Sequence, residues 1–105
     1  MYEVAYDGVM VAGLKYRLEA VLDVLEAYDS GWTVDLELRP EPNNEFDANA
    51  IKVIARPDRH IGYLPAVLSD SIAYRGLTGL RAEFVDADID DAMRVHIEIR
   101  VVASE

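Results

Sequence analysis

Apolar residues recur along this chain with two periods, and the switches between them predict its elements. Val9-Met10-Val11-Ala12-Gly13-Leu14 is a short apolar run closed by glycine, the mark of an early buried strand. From Tyr16 to Tyr28 the period is helical: Leu18, Val21, Leu22 and Leu25 share one face, and Glu19, Asp23 and Glu26 take the other. Asp29-Ser30-Gly31 supplies the stop, with glycine free to turn left-handed. From Trp32 to Leu38 the period falls to two, with Trp32, Val34, Leu36 and Leu38 on the inner side. Pro40 to Asn49 is a polar loop. Ala50 to Ala55 is a short strand, and Pro57-Asp58-Arg59 turns it into a second one over His60–Leu64. Pro65 suits the first turn of a helix that reaches Tyr74 and buries Val67, Leu68, Ile72 and Ala73. Gly76 and Gly79 then break the chain. Arg81–Val85 and Met93–Val101 complete the strands, the last with Met93, Val95, Ile97, Ile99 and Val101 inside. The order β, α, β, loop, β, β, α, β, β predicts a mainly β chain with two helices, a small antiparallel barrel or curled sheet.

Length and composition bound the function. The 105 residues fit one domain, 51% hydrophobic, 29% charged and 9% aromatic, within the range of folded soluble proteins. Cysteine is absent, which excludes disulfides, thiolate metal sites and cysteine nucleophiles. No apolar run reaches the ~20 residues of a membrane helix. The start, Met1-Tyr2-Glu3, lacks the basic and apolar stretches of a signal peptide, so a cytoplasmic location without membrane partners is expected. Twenty acids against ten bases give −10, which disfavours indiscriminate binding to polyanions. The acids are clustered in 19–37 and 83–91, however, whereas 39–81 holds six bases against five acids. A small local anion site is compatible with that distribution.

The unusual stretch runs from Arg39 to Val53. Two prolines stiffen its entry, Asn43, Asn44, Asp47 and Asn49 crowd its middle, and Phe46 is an aromatic set among polar residues. Two readings are open on spacing. In one, the polar side chains satisfy their own backbone and Phe46 folds back onto the core. In the other, Phe46 is a stacking platform beside a carboxylate that accepts from a hydroxyl.

Glu41 to Val53, with the pattern E-P-x-N-x-[YF]-D-x-N-A-[IV]-x-V, resembles the signature of the HIRAN domain. Gly13-Leu14-Lys15-Tyr16-Arg17 resembles the family's glycine followed by a basic-aromatic segment. Ile61-Gly62-Tyr63-Leu64-Pro65 resembles its later I-G-[YH]-[LI]-P element. The three span about residues 9–76 in the family's order. The resemblance implies one OB-like β-barrel over 1–105 that recognises single-stranded DNA ends carrying a 3′-hydroxyl, in a DNA-repair setting beside an ATPase, helicase or nuclease. It further implies that Lys15 meets a phosphate, that Tyr16 and Phe46 stack on nucleotides, that Asp47 accepts from the terminal hydroxyl, and that Tyr63 lines the pocket. Asn43 and Asn44 match motif asparagines, and Asn49 shapes the loop. Two departures stand out. Lysine at position 15 lacks the bidentate fork of arginine, and phenylalanine at 46 keeps the ring face without a hydroxyl. Arg17, Arg39, Lys52 and Arg59 are candidates for peripheral phosphate contacts.

Other constellations carry less. Asp86-Ala87-Asp88-Ile89-Asp90 has the odd-position acids of a calcium loop, but Asp91 stands where glycine belongs and Ile97 where the closing glutamate should be. It reads as a solvated turn. His60 and His96 lack metal-ligand spacing and read as strand surface residues. No phosphate loop, nucleophile elbow or dinucleotide fingerprint is present, so a non-catalytic module without metal or cofactor is expected. The alternative function is an acidic protein–protein adaptor or DNA mimic that docks through 16–28 and 83–91 on a DNA-processing enzyme.

Overall fold

The computed structural model describes residues 2–104. Its elements are β1 (Tyr2–Met10), a 3₁₀ turn (Leu14–Tyr16), α1 (Leu18–Asp29), β2 (Asp35–Pro40), β3 (Ile51–Ala55), β4 (Arg59–Tyr63), α2 (Ala66–Arg75), β5 (Thr78–Ile89) and β6 (Val95–Ser104). The strands form one antiparallel sheet in the order β1-β6-β5-β2-β3-β4. The sheet is not a closed barrel, yet its two edges meet. Just past β1, Ala12 exchanges backbone bonds of 2.8 and 2.9 Å with Tyr63 at the end of β4. Gly62 makes that approach possible, because a Cβ there would lie 2.3 Å from the Ala12 carbonyl oxygen. The glycine of the Ile61-Gly62-Tyr63 element is therefore the residue that lets the curl shut.

The core follows the period-two positions of β6 and the apolar run of β3. Ile97, Ile99, Val101 and Val53 are fully buried, and Ile61 and Val21 meet them from β4 and α1. Several expectations are corrected. β1 starts at Tyr2, well before the expected strand at Val9, and its alternation is interrupted by register shifts around Ala5 and Asp7-Gly8. It lies at a sheet edge, so Tyr2, Val4 and Met10 stay exposed. In α1 the buried stripe is Val21, Val24 and Leu25, while Leu18 and Leu22 face solvent. Both stripes obey the helical period, and the 3₁₀ turn before α1 decides which edge meets the sheet.

Trp32 is exposed and lies outside β2. Its N–H donates to the Ala27 carbonyl while that of left-handed Gly31 reaches Tyr28. This is a complete Schellman stop, so the helix end consumes the residue expected to open the strand. In α2, Ile72 and Ser69 are buried but Val67 and Ala73 are exposed. Met93 is not inside a strand: it sits at φ 62 in the β5–β6 turn, exposed. Residues 86–89 are likewise strand rather than turn. Asp90 organises the turn that follows, accepting from the N–H groups of Ala92 and Arg94 and from the side chains of Arg94 and His96. The His96 bond and those N–H groups hold its carboxyl well below the usual range. No group of three or more His, Asp or Glu among the described residues is arranged to hold a metal ion. No helix among them is long and apolar enough to cross a membrane.

Candidate nucleic-acid interface

The loop between β2 and β3 is built around Glu41. Its backbone N–H pairs with Ala50, and its carboxylate takes bonds from the Asn44 amide (2.6 Å), Lys52 Nζ (2.9 Å) and the Tyr63 hydroxyl (3.0 Å). Lys52 first, then Asn44 and Tyr63, pull its acidity to about 2. That anchorage is complete above the ordinary glutamate range and is lost as pH falls toward the lower value. Asn44 Oδ1 accepts the N–H groups of both Phe46 and Asp47 at 2.9 Å. Asp47 Oδ1 accepts from Asn49 N–H, and the Asn49 amide donates to Asp70 on α2. Every turn of the loop is thus held by a short polar side chain.

What that scaffold presents is Phe46. Its side chain does not fold back: the residue is 95% exposed. Beside it, Asp47 Oδ2 has no partner among the described residues, because the turn uses only Oδ1. Asn43 is exposed as well, whereas the Asn44 side chain is committed to the loop at both of its polar ends. The Tyr63 hydroxyl is also committed, to Glu41, and its ring meets His60 edge-on at 4.9 Å. Burial, reinforced by the Arg17 and Lys52 charges, holds the His60 imidazole below its ordinary value.

Tyr63 joins the two halves of the region. Its backbone pairs with Ala12, which begins the segment leading through left-handed Gly13 to Lys15 and Tyr16. Tyr16 is 77% exposed and stands as a ridge between two grooves. The larger, about 630 Å³ and mainly apolar, lies between Tyr16 and Leu18 on one side and Met93, Val95 and His96 on the other. The smaller, about 420 Å³, is lined by Arg17, Asp58, Arg59 and His60. Phe46 lines neither groove; the loop reaches Tyr16 through Glu41, Tyr63 and Ala12. Met93 and Leu18 are wall residues that periodicity had assigned to the core. The Asp90-Asp91 pair just before Met93 is the turn signal that marks it.

Charge pairing sorts the candidate cations. Arg39 is tied to Glu37 and Asp58, Lys52 to Glu41, and Arg59 to Asp23. Arg56, Arg94 and Arg100 have carboxylate partners too. Among the described residues, Lys15, Arg17, Arg75 and Arg81 are left without one. Lys15 Nζ rests 5.1 Å from the Tyr16 ring centroid. Two uncompensated cations therefore flank the exposed ring of Tyr16.

The model of the HIRAN domain matches residues 8–102. The chain belongs to the HIRAN family. HIRAN domains are known as nucleic-acid-binding recognition modules. Two crystal structures resemble this HIRAN domain. One, of a protein from Lactobacillus plantarum, is 20% identical with a TM-score of 0.64, covering 99% of this chain and 100% of that one. The other, the HIRAN domain of human HLTF, is 23% identical with a TM-score of 0.59, covering 95% of this chain and 76% of that one. At these identities the likeness is one of fold. No curated protein sequence matches the chain.

Proposed function

We propose that this HIRAN domain is a non-catalytic module that grips the 3′-hydroxyl end of single-stranded DNA. The observation that carries the reading is Phe46, an aromatic ring left 95% exposed on a loop whose backbone is fixed by side-chain hydrogen bonds. A free ring on a rigid support suits base stacking, which is worth about 1–3 kcal/mol per base. Tyr16 offers a second ring, and Lys15 and Arg17 offer charge to the phosphates between bases. The unpartnered Oδ2 of Asp47 suits a terminal hydroxyl. A carboxylate only accepts, so it favours a hydroxyl and repels a terminal phosphate. Asn43 is a further polar contact, while Asn44 and Tyr63 serve by holding the loop.

Asp47→Asn tests this. Asparagine retains an oxygen for the Asn49 N–H, so the melting temperature should hold. A charge-assisted bond of about 1.5–3 kcal/mol corresponds to roughly a ten- to hundredfold preference, and the variant should lose it. Anisotropy with oligonucleotides ending in 3′-hydroxyl or 3′-phosphate reads this directly. Unchanged end preference in a stably folded variant would refute the role. No binding of the unmodified chain to either end would point instead to the acidic adaptor.

A further inference from the structure

The two remaining cations without a carboxylate rest on tyrosines of β1, one on each face of the sheet. Arg75, at the end of α2, lies 5.4 Å over the Tyr6 ring and donates to the Tyr6 hydroxyl at 3.0 Å, and that hydroxyl also bonds Ser71 at 2.6 Å. Arg81, near the start of β5, lies 4.7 Å over the Tyr2 ring. Both tyrosines belong to β1, but Tyr6 pairs with core-facing Val101, whereas Tyr2, Val4 and Arg81 share the outer face of Val102 and Ser104, so only Arg75 lies on the side of α2. A guanidinium stacked on a ring keeps most of its N–H edge available to an anion. Next to Arg75, Tyr74 is 94% exposed.

This surface adjoins the loop that carries Phe46. Val67, Asp70 and Tyr74 occupy one face of α2 by their spacing of three and seven. Asn49 bonds Asp70 on that face at 3.1 Å. From Asp70 to Arg75 the helix rises only about 7.5 Å. A chain leaving Phe46 thus meets Tyr74 and then Arg75 within one or two turns of helix.

We infer that the nucleotides upstream of the bound end cross the exposed face of α2, with Tyr74 stacking on a base and Arg75 meeting a phosphate. The inference rests on the end-binding reading above and extends it. An exposed ring beside an uncompensated guanidinium suits a polymer that alternates planar bases with phosphates; an acidic peptide would leave Tyr74 without use.

The test compares a trinucleotide with a dodecanucleotide, both ending in 3′-hydroxyl, by calorimetry. The longer strand should bind about tenfold tighter or better. Tyr74→Ser should remove most of that gain. Arg75→Gln should flatten the dodecanucleotide's log–log salt slope by about 0.7, one single-strand phosphate's worth. Neither change should alter trinucleotide binding. Because Tyr74 is almost wholly exposed, its variant folds even where Arg75→Gln proves destabilising. Equal affinity for the two lengths, or a gain that survives both variants, would overturn the inference and leave end binding intact. A trinucleotide that does not bind would instead remove the end-binding reading on which it rests.

Discussion

Replacing Phe46 by alanine separates folding from recognition, because its ring lies outside the core and, on the proposed reading, stacks on a base. Full burial of a phenylalanine side chain contributes about 1.5–3 kcal/mol. With 95% of the residue exposed, only about a twentieth of that is realised, near 0.1 kcal/mol. For a domain of this size 1 kcal/mol moves the melting temperature by roughly 4–8 °C, so Phe46→Ala should melt within about one degree of the parent. The loop should persist, since its hydrogen bonds run through the backbone N–H of position 46, which alanine keeps. Binding should behave differently: losing one stacking platform costs about 1–3 kcal/mol, a fall of roughly five- to 150-fold in affinity. Thermal melting and anisotropy with a 3′-hydroxyl oligonucleotide on the same preparation measure both. Unchanged affinity would refute the platform. A melting temperature several degrees lower would refute the premise that Phe46 is unpacked.

Two further outcomes follow from the geometry. Gly62→Ala places a methyl 2.3 Å from the Ala12 carbonyl and 2.8 Å from Val11 Cγ1; overpacking plus two strained bridge bonds should cost about 2–5 kcal/mol, visible as a melting temperature lower by about 10 °C or more, and a change within about two degrees would show that the edges part without penalty. Arg17→Ala removes a positive charge that disfavours protonated His60, so the His60 titration followed by NMR should move upward, and an unmoved titration would place Arg17 too far away to matter. Because the folded His60 value lies below the unfolded one, the stability tied to it is complete above about pH 6.5 and declines as pH falls through the folded value.

The sequence reveals this fold where burial is symmetric about a strand or helix and conceals it where an edge intervenes. β6 is read correctly from Val95 to Val101, though not at Met93, because Ile97, Ile99 and Val101 point into a core that is present along that stretch of strand. β1 is missed over Tyr2–Gly8 because an edge strand has fewer neighbours to impose alternation and its register shifts break the period. The phase errors at Leu18, Leu22 and Val67 have one cause: a helix with apolar residues on more than one stripe can roll, and its neighbours choose. At the site, the loop 40–49 and its asparagines are visible as turn chemistry. Periodicity says nothing of Phe46's exposure, since the same residue is equally at home folded inward. Glu41 as the hub escapes for a different reason: its partners Lys52 and Tyr63 are distant in sequence and meet only through the pairing of β3 with β4.

Net charge is the wrong variable for judging whether this chain meets a polyanion. The −10 total hides a division of labour. Arg39, Lys52, Arg56, Arg59, Arg94 and Arg100 are neutralised by carboxylates beside them, and each is correspondingly poor at attracting a phosphate. Lys15, Arg17, Arg75 and Arg81 are not, and each stands beside an aromatic ring or adjoins an exposed one. On β5 and β6, meanwhile, Asp86, Asp88 and Glu98 line one groove with Met10 and His96, where a phosphodiester would be repelled. On the proposed reading, the acids therefore sharpen recognition: they weaken every alternative path over the surface more than the one along which cations are uncompensated. The same arrangement keeps the salt dependence shallow. Two phosphates met at the Tyr16 ridge give a single-strand slope near −1.4, far from that of a protein covered in basic residues, so discrimination must come from rings and the Asp47 carboxylate rather than from bulk attraction.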